Sequence, residues 1–197
     1  MRERTRRWLF ALPALLPLLA GCALLTHPRL PSQSHRVLRV SDGGFRDYVG
    51  VIHVHTTYSH DAHGPFEDVV RGANTQGLHY VITTEHNNLR ALREGRQGRH
   101  GSVLILIGME ISTKSGHYLA LNVTEEVDRL QMTAQEVIDE VTRQGGLGFI
   151  AHPYFKKARW SDWGVTGFTG IEGYNVALDT LDDNKGRLAL WTFTAPI

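Results

Sequence analysis

Two imidazoles set one residue apart, His53 and His55, close an apolar run from Tyr48 to Val54. Asp61, His86, Glu110, His117 and His152 follow along the chain. In a regular strand the side chains at i and i+2 share a face, so His53 and His55 could converge on one point from one rigid element. Imidazole with carboxylate is the ligand set of zinc, manganese and iron, and this many candidates leave room for more than one ion.

Such residues need a scaffold that delivers them to one place. Apolar runs alternate with amphipathic stretches: Val49 to His55 reads as a strand, Pro65 to Gln76 as a helix, and Tyr80 to Thr84 as a strand. Val103 to Ile111 and Tyr118 to Val123 are two further strands, with the Ser112 to Gly116 turn between them. Thr133-Ala134-Gln135-Glu136 has capping-box spacing and opens a helix that Gly145-Gly146 ends. Leu147 to Ala151 and Thr169 to Tyr174 are the last two strands, and a polar helix-like segment begins near Ala177. Strand-helix alternation predicts parallel pairing. His53 and His55, His86, Glu110 and His152 each sit at the end of one of these strands, which is where barrel enzymes place their active sites.

The chain has 197 residues, 42% hydrophobic and 21% charged, which fits one globular domain with an appendage. The appendage is at the front. Met1 to Arg7 is basic, Trp8 to Leu19 is apolar and interrupted by Pro13 and Pro17, and Leu19-Ala20-Gly21-Cys22 follows. This is the layout of a secretory signal over residues 1–21, too short for a comfortable spanning helix. Its end resembles a bacterial lipobox, whose last place holds the single cysteine of the chain. By that resemblance Cys22 is the lipid-modified first residue of the mature protein, anchored to a bacterial membrane by several acyl chains. The other reading is an uncleaved anchor, and in both the domain faces away from the cytoplasm. Ala23, rather than aspartate, follows Cys22, which by resemblance to enteric sorting favours the outer membrane. Residues 22–44 read as the lipidated cysteine and a proline- and serine-rich tether, and residues 45–197 as the folded domain.

Removing residues 1–21 takes four arginines and one glutamate, leaving 17 basic and 19 acidic residues and a formal charge of −2. That balance excludes a general basic surface for nucleic acid. With no cysteine beyond Cys22, core burial and bound metal must stabilise the domain without disulfides.

His53-x-His55 with Thr56 and Ser59, Thr84-Glu85-His86-Asn87, Gly108-Met109-Glu110, Gly116-His117, Ala151-His152-Pro153 and Ile171-Glu172-Gly173-Tyr174-Asn175 together resemble the PHP (polymerase and histidinol phosphatase) superfamily. The resemblance runs from about Tyr48 to Asn175. It implies an α/β fold, a distorted (β/α)7 barrel holding two or three divalent ions (Mn, Zn or Fe), and hydrolysis of phosphoesters by a metal-activated hydroxide, with no side-chain nucleophile. On that mapping His53 and His55 hold one metal, Glu110 bridges, His86 belongs to a second centre, and His117 and His152 complete a third. The ligand after the HxH segment is His60 or Asp61, with Asp61 preferred. Glu85 stands where the family usually has aspartate, among the partners that orient ligating imidazoles.

One motif of the family is not matched. Members usually close the final barrel strand with Asp-x-His, and here neither His nor acid occurs after Asp183. About six strands are legible where the barrel needs seven. The barrel therefore reads as incomplete, either as a truncated or frame-shifted product with an unrelated tail from Lys185, or as a shortened variant recruiting Asp179, Asp182 or Asp183. The resulting expectation is a membrane-tethered phosphoesterase for a small phosphorylated, nucleotide-type substrate. The alternatives are a remnant that binds metal without turnover, and a metal-dependent C–N hydrolase.

Some other candidates have plain readings. His63, His79 and His100 read as solvated histidines, His100 in a glycine- and arginine-rich loop from Arg96 to Gly101. Lys156, Lys157 and Arg159 either hold a substrate phosphate at the barrel mouth or form a solvated basic loop. Trp160 and Trp163 offer faces to a base or sugar, or pack, and Glu172 is a site-lining residue.

Overall fold

A computed structural model of the chain describes residues 47–175. The signal segment, Cys22, the tether, the segment from Ala177 and the acids Asp179, Asp182 and Asp183 lie outside the described residues. No helix among the described residues is long and apolar enough to cross a membrane.

Ten elements follow in order: β1 (Gly50–Val54), α1 (Phe66–Thr75), β2 (Tyr80–His86), α2 (Arg90–Arg93), β3 (Gly98–His100), β4 (Val103–Thr113), β5 (Gly116–Leu121), α3 (Ala134–Arg143), β6 (Leu147–Ile150) and β7 (Gly170–Ile171). The strands form one sheet in the order β1-β2-β4-β5-β6-β7, with β3 paired to β4 off this path.

The pairing is mixed, which corrects the parallel pairing expected from alternation. β1, β2 and β4 are mutually parallel, β4, β5 and β6 run antiparallel, and β6 and β7 are parallel again. The reason is local: only Lys114 and Ser115 separate β4 from β5, and so short a connection can make only a hairpin. His117 therefore sits at the start of its strand, and the antiparallel turn brings it to the same rim as the ends of its neighbours.

Alternation along the strands divides two faces. Val81, Ile105, Ile107, Met109, Ile111, Tyr118, Ala120 and Ile150 are buried in one core with Phe66 and Ala73 of α1 and Val137, Ile138 and Val141 of α3. α3 starts where the sequence signals: the Thr133 hydroxyl accepts from the Glu136 N–H, and the Glu136 side chain accepts from the Thr133 N–H, a complete capping box. The opposite face carries Tyr80, Ile82, Leu104 and Leu106 low down and His86 and Glu110 at the rim, in register across β2 and β4.

That second face is concave. β1 and β7 stand at opposite ends of the sheet order, yet His53 Nδ1 lies 2.8 Å from Glu172 Oε1, so the sheet curls until its two ends meet at the rim. The result is a partial barrel. Gly108, two residues before Glu110, permits close packing there, since a Cβ would stand 2.6 Å from the Ala120 carbonyl oxygen.

Candidate metal centre

β1 delivers its ligands in an unexpected way. Its register against β2 slips by one residue between Val51 and Val54, and His53 has φ 62°. The strand ends at Val54, so His55 already belongs to the following loop. The two imidazoles thus meet, with ring centroids 5.3 Å apart, through a bulge and a strand end rather than through plain period-two alternation.

Glu110 is the hub. It is 1% exposed on the central strand β4, between Met109 and Ile111, both fully buried. Its Oε2 lies 3.2 Å from His53 Nε2, 3.0 Å from His55 Nε2 and 3.3 Å from His86 Nδ1. Its Oε1 lies 2.8 Å from His117 Nδ1 and 2.9 Å from His152 Nε2. Asp61, half in solvent, completes the outer side, 3.3 Å from His55 Nδ1 and 3.1 Å from His86 Nε2. His60, the other candidate beside it, is exposed, its ring centroid 4.9 Å from that of His86.

Among the described residues, potential ligand atoms fall into three overlapping groups, each within 4.8 Å: His53, Glu110 and His152; His55, Asp61 and His86; and His86, Glu110 and His117. His53 and His55, expected to share one metal, are divided between two groups, although both turn Nε2 toward the same Glu110 oxygen. The donor set fits divalent ions. A carboxylate offers about four lone-pair positions, and five imidazole nitrogens crowd around this one, more than hydrogen bonds alone can serve. His86 Nδ1 is moreover buried without a hydrogen-bond partner. Imidazole and carboxylate together suit zinc, manganese or iron.

The electrostatics centre on the retained negative charge of Glu110. Burial penalises the Glu110 charge, but hydrogen bonds from His117, His152, His53 and His55 outweigh it and hold the carboxyl far below the usual carboxylate range. Burial likewise opposes charge on His53, yet its bonds to Glu110 and Glu172 lift it to about 9. His55 is also raised, burial being outweighed by Glu110 and Asp61. His86 is lowered, chiefly by burial and by the neighbouring His55 and His117, and is the readiest neutral ligand.

Glu85 is placed otherwise than its position in the motif suggests. It points away from the imidazoles, fully buried, and accepts from the Thr56 N–H at 3.1 Å, the Thr56 hydroxyl at 2.7 Å and the Ser59 hydroxyl at 2.6 Å. Ser59 Oγ accepts in turn from the His86 N–H at 2.9 Å. Glu85 thereby pins the loop carrying His55 and Asp61 to β2. Glu85→Ala would bury three donors without an acceptor, and we expect a loss of about 3 kcal/mol in denaturant unfolding, with Glu85→Gln losing less. Equal stability of Glu85→Ala and wild type would contradict this role.

A cavity of about 300 Å³ opens over the cluster, lined by its seven candidate ligands with Ala62, Phe155 and Asn175. Phe155 was not foreseen. It closes a turn from His152, whose carbonyl accepts its N–H at 3.0 Å. Lys156, Lys157 and Arg159 are exposed on the same loop and are not among the lining residues. That loop is anchored by Trp160, 1% exposed, which packs where Gly116 (φ 125°) has no side chain; a Cβ there would meet Trp160 at 3.1 Å. Tyr154 and Trp163 remain exposed, their rings 6.4 Å apart and tilted by 31°.

His63 is exposed in its turn. His79 and His100, read as solvated, are instead partly buried and hydrogen-bonded: His79 Nδ1 accepts from the Val49 N–H at 2.8 Å, and His100 Nε2 donates to the Arg96 carbonyl at 2.8 Å from β3, where a loop was expected. Both lie away from the cluster.

Among solved structures the chain is similar to a two-domain protein of Bacteroides vulgatus named for a PHP-like metal-dependent phosphoesterase (TM-score 0.44, 21% identity, 59% of this chain and 39% of that one). It is also similar to a protein of Bifidobacterium adolescentis named as a metal-dependent phosphoesterase (TM-score 0.49, 17% identity, 75% and 83%). An uncharacterized protein of Methanocaldococcus jannaschii is 28% identical over 114 residues, 52% of this chain and 66% of that protein. The chain thus spans 66% of this relative's length and 39% of the two-domain protein's. Residues 52–178 match the PHP domain, a stretch that contains every member of the cluster, and the chain belongs to the PHP domain family.

Proposed function

We propose that this protein is a metal-dependent phosphoesterase that hydrolyses a small phosphorylated molecule outside the cytoplasm, held to a bacterial membrane by lipid on Cys22. The observation that carries the catalytic reading is the convergence of five imidazoles and Asp61 around the buried Glu110 under a cavity of about 300 Å³. That volume suits a small ligand. Bound divalent ions would make water nucleophilic at neutral pH and neutralise charge on the phosphoryl oxygens. The chain's own residues do the rest. Glu110 and the histidines fix the ions' positions, Phe155 supplies an apolar wall, and Asn175 offers an amide to the cavity.

The exposed Tyr154–Trp163 pair beside the His152 turn supports a substrate with a planar ring, of nucleotide type, and Lys156, Lys157 and Arg159 support an outlying anionic group on it. The lipid anchor rests on the Leu19-Ala20-Gly21-Cys22 sequence, and a Cys22→Ser chain should leave the membrane fraction.

The test is metal content together with hydrolysis of an aryl phosphate, a nucleoside monophosphate and glycerol phosphate in the presence of Mn. Wild type should bind at least two ions and turn over phosphate esters, and His53→Ala should lose both. Trp163→Ala should raise KM for the nucleotide roughly tenfold and leave glycerol phosphate unchanged, since stacking a base contributes about 1–3 kcal/mol. Absence of metal, or His53→Ala hydrolysing as fast as wild type, would remove the catalytic reading. Turnover confined to phosphate-free amides would replace it with C–N hydrolysis.

A further inference from the structure

Glu172 stands just after β7, at the far end of the sheet order from β1. Its Oε1 is 2.8 Å from His53 Nδ1, its Oε2 accepts the His152 N–H at 2.7 Å, and Asn175 Nδ2 donates to Oε1 at 3.2 Å. The side chain is 8% exposed. His53 and His152 are also the two ligand residues with positive φ, 62° and 24°, a region that side chains with a Cβ seldom occupy. Both belong to one potential metal group, completed by Glu110. One carboxylate therefore touches both strained members of a single group, and in doing so joins β1 to β7, which share no backbone pairing.

The hydrogen bond has a chemical direction. An ionised carboxylate only accepts, so the protonated His53 turns Nδ1–H to Glu172 at 2.8 Å and Nε2–H to Glu110 at 3.2 Å; once the ring is neutral, Glu172 keeps the proton on Nδ1 and the Nε2 lone pair faces the Glu110 side. Outer carboxylates fix the tautomer and aim of metal-ligating histidines in this way. Here the same group also closes a seam, so two events that are separate in most sites share one contact.

We infer that Glu172 is the positioning residue of the His53–Glu110–His152 group, and that it couples ion binding there to closure of β1 against β7. The inference rests on the metal-binding reading of the cluster. Ion binding at this group favours the closed seam, and by linkage an open seam weakens that ion and leaves the His55–Asp61–His86 group unaffected.

The experiment uses the full chain as wild type, Glu172→Ala and Glu172→Gln. Each is titrated with Mn or Zn against a chromophoric chelator, and hydrogen exchange is followed at residues 50–54 and 170–171 with and without metal. The tautomer of neutral His53 is read from imidazole ¹⁵N shifts in the metal-free protein above about pH 9. One class of site should weaken about 10–100-fold in Glu172→Ala, with the remaining class unchanged. Metal-induced protection at 50–54 and 170–171 should vanish in Glu172→Ala, whereas protection in β4 and β6 persists.

Glu172→Gln keeps the shape and one acceptor, so it should fold and show His53 as a tautomer mixture. Should Glu172→Ala fail to fold, the glutamine variant decides by that signal. Wild-type affinity in every class, or an unchanged His53 tautomer in Glu172→Gln, overturns the inference and makes Glu172 a simple strand-end charge. If wild type binds no ion, the functional reading fails, while the tautomer and seam exchange of the metal-free protein still judge the role of Glu172.

Discussion

Replacing Glu110 with glutamine should abolish hydrolysis and empty two of the three potential metal groups. Glu110 belongs to both His53–Glu110–His152 and His86–Glu110–His117, and it is the one carboxylate of either. Glutamine has nearly the same volume, so the rigid β4 between Met109 and Ile111 need not repack. Its amide nitrogen donates, however, and would confront imidazole nitrogens that must keep lone pairs for ions. Losing the ions removes several kcal/mol of transition-state stabilisation, on the order of a 10³-fold fall in kcat or more. Elemental analysis should show retention at most of the His55–Asp61–His86 ion. A Glu110→Gln protein with full metal content and wild-type turnover would mean that the buried hub is a structural ion-pair network.

The second large effect is metal-linked stability, and it depends on pH in a definite direction. In the metal-free protein His53 is raised from 6.5 to about 9 against burial by Glu110 and Glu172. A raised folded-state value means that the charged histidine stabilises fully below about pH 6.5, and that this contribution is lost as pH climbs through about 9. Ions need His53 and His55 neutral, so metal affinity moves oppositely and strengthens over the same interval. Each ion held at about a hundred times its Kd adds about 2.7 kcal/mol. For a domain of this size that is roughly 10 °C in Tm. Thermal unfolding with Mn and with chelator should therefore diverge from pH 6.5 to 9, the chelated protein melting lower as pH rises. Curves that stay parallel across that range would show that the imidazoles are not the groups the ions displace protons from.

Much of this site could be read from the chain because its candidate ligands follow apolar runs. Leu-Ile-Leu-Ile-Gly-Met before Glu110 and Leu-Gly-Phe-Ile-Ala before His152 announce strand and strand end together, and side-chain chemistry supplies the rest. What escaped was long-range or very short. Nothing near His53 in sequence reveals the one-residue slip in β1, since a bulge is set by how the neighbouring strand pairs. α2 and β3, four and three residues long, lie below any periodic signal, and Arg96 to Gly101 therefore read as loop. The hairpin was within reach, because even the Ser112 to Gly116 turn is too short for a parallel crossover, but strand-helix alternation elsewhere outweighed it. Glu172 was legible as a motif residue and not as a clasp, its partner being 119 positions away.

The β4–β5 hairpin carries a consequence for how the centre comes into being. Glu110 and His117 are seven positions apart, whereas His53 and Glu172 must find each other across 119. Closing a short loop costs less entropy and happens sooner than closing a long one. During synthesis the chain through Leu121 already holds His53, His55, Asp61, His86, Glu110 and His117, while His152 and Glu172 have yet to emerge. The His86–Glu110–His117 group is therefore gathered largely by local closure, whereas the His53–Glu110–His152 group is complete only when the two ends of the sheet have met.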